Sequence, residues 1–244
     1  MTRGKVYLVG GGPGNPGLIT VKGLELVKRA DIIIYDRLVS EEIINQARGD
    51  AELIYVGKRT GSHAFKQDEI NELLVKKATE EPDKVIVRLK GGDPLVFGRG
   101  GEEIRALKKA GLEFELVPGV TSAIAVPSLA NIPLTDREYA SSFTVVTGHE
   151  DPGKGERMDY GKLNADTIVV LMGVGNLPVI VEQLLKTRDK STPVAIIQEG
   201  AKEGQRVIIG DLGTIVEKSQ KEQVKPPAIV VIGDVVRLRK EFSK

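Results

Sequence analysis

Short apolar runs alternate with amphipathic stretches along the first half of the chain. Val6–Val9, Ile32–Tyr35, Leu53–Val56, Val85–Leu89 and Phe114–Val117 are β-prone. Between them, Thr20–Ala30 spaces Val21, Leu24 and Val27 along one side of a helix, and Ser40–Ala47, Gln67–Glu80 and Gly101–Ala110 also have helical patterns. Ser40 is placed to cap the second of these helices. Strands separated by amphipathic helices predict βα units and a parallel sheet. The second half supplies further strands at Phe143–Thr147, Thr167–Met172, Val194–Gln198, Arg206–Ile209 and Ala228–Ile232, with its clearest helices at Leu177–Lys186 and Leu212–Lys218. The close spacing of the runs around Gln205 predicts antiparallel pairing and a mixed sheet. Ile132–Arg137, with its proline and polar residues, breaks the rhythm as a linker would. The expectation is two α/β domains, residues 1–137 and 138–244, with a ligand cleft between them. Arg237-Leu238-Arg239-Lys240 reads as a solvated helix end.

Composition narrows the chemistry. The chain has 244 residues, of which 41% are hydrophobic and 28% charged, and no run of about 18 apolar residues that would span a membrane. Met1-Thr2-Arg3-Gly4 leads directly into the first strand, without the apolar stretch of a signal peptide, so a cytoplasmic protein is expected. There is no cysteine, which excludes disulfides, thiolate metal sites and cysteine nucleophiles. His63 and His149 are far apart, a poor basis for a metal site, and no metal is expected. A net charge of +1 gives no overall basis for nucleic-acid binding, so anionic ligands must meet local clusters.

The first candidate site follows the first strand. In Gly10-Gly11-Gly12-Pro13-Gly14-Asn15-Pro16-Gly17, residues Gly12, Gly14 and Gly17 fit G-x-G-x-x-G, and Asp36 lies beyond them at the end of the second strand. This spacing matches the dinucleotide fingerprint, so a nicotinamide-dependent oxidoreductase is one reading. Pro13 and Pro16 oppose it, because they remove N–H groups where a pyrophosphate would need them. A rigid Gly-Pro-Gly corner suits close ligand approach, or simply a tight turn. Gly57-Lys58 is followed by Arg59 and does not form a Walker A motif.

The stretch from Val87 to Glu103, Val-Arg-Leu-Lys-Gly-Gly-Asp-Pro-Leu-Val-Phe-Gly-Arg-Gly-Gly-Glu-Glu, leaves the end of a predicted parallel strand, where ligands of such sheets bind. Gly91-Gly92 permits close backbone approach, and Asp93 can accept from an amine or a ribose hydroxyl. Together with Gly12-Pro13-Gly14, Leu18–Gly23, Tyr35-Asp36-Arg37-Leu38-Val39, Gly57-Lys58-Arg59, Val117–Ser122, Ile132-Pro133-Leu134-Thr135, Val146–His149, Met172-Gly173 and Val194-Ala195-Ile196, this stretch resembles the tetrapyrrole methylase family. The resemblance covers nearly the whole chain. Gly98–Glu103 and Tyr35–Val39 place it closest to the members that act on uroporphyrinogen III.

That resemblance implies the family's two-domain fold and a methyl transfer from S-adenosylmethionine. The substrates would be uroporphyrinogen III and then precorrin-1, methylated at C2 and C7 to give precorrin-2 for siroheme or cobalamin-type synthesis. The products would include S-adenosylhomocysteine, and the working form would be a homodimer with no nucleic-acid or membrane partner. It assigns Pro13, Gly91, Gly92, Asp93, Val96, Thr121, Ser122, Met172 and Gly200 to the cofactor. It gives Asp36 a proton-accepting and Lys58 a proton-donating role. On the residues alone, Asp36 serves equally as a cap or partner of Arg37, and Lys58 as a carboxylate clamp. Arg37, Arg59 and Arg99 suit the substrate's carboxylates through bidentate forks, in a basic cluster that also takes in Lys58, Arg88 and Lys90.

Three positions depart from many relatives. Asn131 stands where glycine is common, Asn15 where an acidic residue is common, and Glu199-Gly200-Ala201 where Asn-Gly-Thr is common. Asparagine tolerates positive φ, so the turn at Asn131 can survive. A non-catalytic tetrapyrrole carrier is a further alternative, opposed by the intact Gly91-Gly92-Asp93-Pro94 loop.

Overall fold

The computed structural model describes residues 5–57, 65–150, 153, 155 and 157–243. Its chain divides into two compact units, Met1–Thr121 and Ser122–Lys244.

The first unit is built on a parallel sheet of β1 (Lys5–Gly10), β2 (Ile32–Tyr35), β3 (Glu52–Tyr55), β4 (Val85–Lys90) and β5 (Glu113–Val117), in the order β3-β2-β4-β1-β5. Its helices are α1 (Val21–Arg29), α2 (Glu41–Ile44), α3 (Gln67–Glu80) and α4 (Gly100–Lys109). Strand alternation sorts the core into two layers. Val9, Val87, Leu89 and Ile33 pack with Leu26 and Val27 of α1 and Ile43 of α2. Val6, Leu8, Ile34 and Ile86 pack with Ile70 and Leu74 of α3 and Leu107 of α4. The α2 helix is shorter than the Ser40–Ala47 pattern predicts. Ser40 is its N-cap residue but makes no side-chain capping bond.

The second unit has a mixed sheet of β6 (Phe143–Thr147), β7 (Thr167–Leu171), β8 (Pro193–Gln198), β9 (Arg206–Asp211) and β10 (Ala228–Ile232), ordered β6-β7-β10-β8-β9. The β6–β7 pair is parallel and the others antiparallel, including β8–β9 around Gln205. On one face lie α6 (Leu177–Leu184) and α7 (Ile215–Lys221), and on the other α5 (Ser122–Leu129) and the turn carrying Val235 and Val236. A short α8 (Leu238–Phe242) ends the unit; Leu238 is buried, so this segment is docked rather than wholly solvated.

The units divide earlier in the chain than the expected boundary after residue 137. Ala123 and Val126 of α5 pack with Val169 and Val231 of the second sheet. The segment read as a linker lies within that unit: Ile132 is fully buried, and Asp136 and Ala140 exchange backbone hydrogen bonds. Asn131, after α5, adopts φ 58°, in the left-handed region that asparagine tolerates. Among the described residues, no helix is long and apolar enough to cross a membrane.

Edge strand β5 is fastened by charge. Glu115 accepts from Lys22 on α1 and from Lys5 on β1, the latter at 2.6 Å. The hydrogen bond from Lys22, followed by that from Lys5, lowers the Glu115 carboxyl from 4.5 to about 2. A depressed carboxyl pKa stabilises the folded state above the unfolded value, and this contribution fades as pH falls through the folded value. Glu115→Gln is therefore expected to lower the unfolding midpoint slightly at pH 7, with the difference from the parent closing between pH 4.5 and 2. Parallel midpoint curves across that range, followed by circular dichroism, would contradict this assignment.

Candidate active site

The carboxyl ends of the five parallel strands lie along one edge of the first sheet. Adjacent strands β1 and β4 send the chain to opposite faces, β1 towards α1 and β4 towards α4. Such a divergence opens a crevice beyond the strand ends. Here the two departing loops are joined by backbone bonds. Gly11 N donates to Lys90 O (2.7 Å), Gly12 N to Gly92 O (3.2 Å) and Gly92 N to Gly12 O (2.6 Å). The loop after β5 closes on the same point: a Cβ at Gly119 would lie 2.2 Å from Gly92 O and 2.6 Å from Gly10 Cα. No side chain fits there.

Asp93 locks this junction. Its Oδ1 accepts from Leu95 N at 2.8 Å and its Oδ2 from Gly119 N at 3.0 Å. The carboxylate thus ties the loop after β4 to the loop after β5. Gly91 brings in the loop after β2, since a Cβ there would sit 2.5 Å from Leu38 Cβ. Pro13 is half-buried between Gly12 (φ 79°) and Gly14 (φ 133°). Val96 is exposed, with Leu95 and Phe97 beside it in sequence. The structure therefore gathers Pro13, Gly91, Gly92 and Asp93 around one backbone platform.

The helix after the glycine loop argues against a dinucleotide. A 3₁₀ turn, Pro16–Leu18, intervenes with Asn15 Oδ1 accepting from Gly17 N. Only then does α1 begin, capped by Thr20 Oγ1 accepting from Gly23 N at 3.1 Å. A pyrophosphate needs free N–H groups at a helix start that adjoins the glycines. Here the start is displaced from them and carries its own cap.

Asp36 follows β2 and is partly exposed. Its Oδ1 accepts from Leu38 N (3.1 Å), and its Oδ2 faces Arg88 Nη2 (3.4 Å), so Arg88 rather than Arg37 is its ion partner. Arg88 and Lys90 alternate on the β4 face covered by α4, both almost wholly buried. Glu103 of α4 meets them, with Oε1 accepting from Arg88 Nε and Lys90 Nζ at 2.9 Å each. These two cations belong to a buried ion cluster, which corrects their placement in the substrate-facing group. Removing one partner from a buried cluster costs about 3–5 kcal/mol. Burial, reinforced by neighbouring Arg88, lowers the Lys90 pKa against the opposing pull of Glu103.

Arg37 is exposed at the same edge. Arg99, in the left-handed conformation at the start of α4, forks onto Glu102 through two contacts of 2.8 Å. Lys58 and Arg59, expected in the catalytic and substrate sets, and His63 lie outside the described residues.

In the second unit, β6, β7 and β8 run the same way, so their carboxyl ends share an edge. Met172 follows β7 with φ 55° and is exposed. Gly200 follows β8, where a Cβ would meet Val126 Cγ1 at 2.2 Å. Its neighbours Glu199 (φ 50°) and Ala201 (φ 65°) are both left-handed, a strain of about 1–3 kcal/mol each. Ser122 opens α5, directly after Thr121.

The geometry can be set beside known proteins. A family model described as Tetrapyrrole (Corrin/Porphyrin) Methylases matches residues 5–216. The chain belongs to the tetrapyrrole methylase family. Among its relatives, a uroporphyrinogen-III C-methyltransferase of Methanocaldococcus jannaschii is 60% identical over 96% of this chain and 98% of that one. The uroporphyrin-III C-methyl transferase of Thermus thermophilus, solved with S-adenyl homocysteine, shares 40% identity with a TM-score of 0.82, covering 96% of this chain and 94% of that one. A siroheme synthase of Azotobacter vinelandii is 47% identical over 98% of this chain, which spans about half (52%) of that longer protein.

In this methylase the residue that pattern reading did not single out is Glu103. Its signals were present: Arg88 and Lys90 share one strand face, and Glu103 sits four residues before buried Leu107 on α4. The contact roles of Gly10 and Gly119 also emerge only from the meeting of three loops distant in sequence. Gly119→Ala is expected to cost about 1–3 kcal/mol through overpacking against the Gly10 and Gly92 backbones. Urea unfolding measures this directly; an unchanged midpoint at unchanged slope would show that the junction is loose.

Proposed function

We propose that this methylase transfers methyl groups from S-adenosylmethionine to uroporphyrinogen III, at C2 and C7. Precorrin-1 is the intermediate and precorrin-2 the product, feeding siroheme or cobalamin-type synthesis. The observation that carries this reading is the glycine junction locked by Asp93 in a chain of this family. The same reading takes the working form as a cytoplasmic homodimer, on the family resemblance.

The residues fit the cofactor. Each Asp93 oxygen, with one N–H already bound, keeps a lone pair for an amine or hydroxyl. Pro13, Gly91, Gly92, Asp93, Val96, Thr121, Ser122, Met172 and Gly200 are assigned to it on the family resemblance. When bound, the cofactor supplies a methyl on a cationic sulfur; each transfer forms a carbon–carbon bond on a pyrrole, breaks the sulfur–methyl bond and leaves S-adenosylhomocysteine.

The macrocycle must then lose a proton, and Asp36 accepts it. The Leu38 N–H and Arg88 hold one oxygen each of its carboxylate, fixing its direction. Lys58 is the proton donor. Arg37, Arg59 and Arg99 hold the substrate's carboxylates. Arg99 is exposed, so exchanging Glu102 for a substrate carboxylate gives up a surface pair worth at most about 1 kcal/mol.

Incubation with uroporphyrinogen III and labelled S-adenosylmethionine, followed by mass analysis, is expected to give a product carrying two labelled methyl groups; an unlabelled tetrapyrrole would overturn the proposal. Asp36→Asn is expected to lower kcat by about 100-fold or more, the range of a general base, with S-adenosylhomocysteine affinity nearly unchanged. A near-normal kcat at saturating substrates would remove Asp36 as the proton acceptor while leaving the methyltransferase reading in place.

A further inference from the structure

We propose that Glu103 is a positioning residue for methyl transfer, acting on Asp36 through Arg88. The proposal rests on Asp36 as the proton acceptor. Glu103 is wholly buried, and the Arg88 side chain is only 3% exposed. Each nitrogen of the guanidinium has a task. Nε donates to Glu103 Oε1 at 2.9 Å, and Nη1 to Ile34 O at 3.3 Å and Leu89 O at 3.1 Å. The planar fork then directs Nη2 to Asp36 Oδ2 at 3.4 Å. Asp36, 27% exposed in its side chain, is the member of this network that reaches solvent.

The bonding of Glu103 is lopsided. Arg88, Lys90 and, at 3.5 Å, Gln67 all approach Oε1, while buried Oε2 has no hydrogen-bond partner among the described residues. An ion cluster serving stability alone gains from satisfying both oxygens, and apolar packing in its place would serve as well. Here one oxygen is left unpaired while two cations are drawn to a single point beneath the strand ends. The formal charges of Arg88, Lys90, Glu103 and Asp36 cancel when Asp36 is ionised. Glu103 thus counterbalances Lys90 and leaves Arg88 matched to Asp36.

A double-mutant cycle on single-turnover methyl transfer tests this, using Glu103→Gln, Asp36→Asn and the pair, with S-adenosylhomocysteine affinity measured for each. Glu103→Gln is expected to slow transfer about tenfold in the parent but less than about twofold in the Asp36→Asn background, as for residues acting through one another. Cofactor affinity is expected to stay within about twofold, since the variant alters no proposed cofactor ligand. Equal losses in both backgrounds, or a loss of cofactor affinity that matches the loss of rate, would overturn the proposal. If Glu103→Gln does not fold, Lys90→Met with Glu103→Gln keeps the cluster's total charge and carries the same cycle, with the same coupling expected. A full rate for Asp36→Asn alone would overturn the proton-acceptor reading itself and is read before any Glu103 variant.

Discussion

Three backbones meet at the carboxyl edge of the first sheet with no room for a side chain. Gly10 ends β1, Gly92 follows β4, and Gly119 follows β5. Because β1 lies between β4 and β5, the three exits leave side by side, and the glycines let their backbones touch before the chains diverge. The remaining features of the edge depend on this contact. The Gly12–Gly92 bridge, the grip of Asp93 on Gly119, and the approach of Leu38 to Gly91 all require the loops to lie this close. A ligand resting here meets a rigid backbone surface, whose ordering was completed by folding and adds little to the cost of binding.

Beneath the platform lies a second constraint, of charge. Two cations on one strand face would be intolerable in an apolar layer without an anion, and α4 delivers Glu103 to them. The helix is held in turn by Leu107 in the same layer. Packing of α4 therefore governs the direction of Arg88, and Arg88 governs the seat of Asp36. The chain of cause runs from a hydrophobic helix face to the orientation of one partly exposed carboxylate.

Much of this was legible in the residues. Continuous apolar runs and helix spacing exposed the βα units because the central strands of the first sheet are packed on both faces and each helix on one, and the antiparallel return around Gln205 showed in the short interval between strands. Proline within the glycine loop already opposed a pyrophosphate, and the capped, displaced start of α1 gives the structural reason. The unit boundary was less visible. Proline and polar residues at 132–137 imitate a linker, whereas membership is decided by which sheet receives Ala123, Val126 and Ile132. Arg88 and Lys90 were misplaced for a related reason: charge in a sequence suggests solvent, and only the strand's register with α4 reveals burial. At Glu199 the departure from asparagine coincides with left-handed backbone, so the fold retains the loop with a residue less suited to it there.

The central claim is that the junction held by Asp93 receives an S-adenosyl group and not a dinucleotide. Calorimetric titration of the protein and of Asp93→Ala, each with S-adenosylhomocysteine and with NAD, tests it most directly. The account predicts saturable binding of S-adenosylhomocysteine and none of NAD. It also predicts that Asp93→Ala weakens the former by about 10–100-fold, the scale of a lost charge-assisted hydrogen bond. Binding of NAD in place of S-adenosylhomocysteine, or full affinity in a folded Asp93→Ala protein, would contradict it.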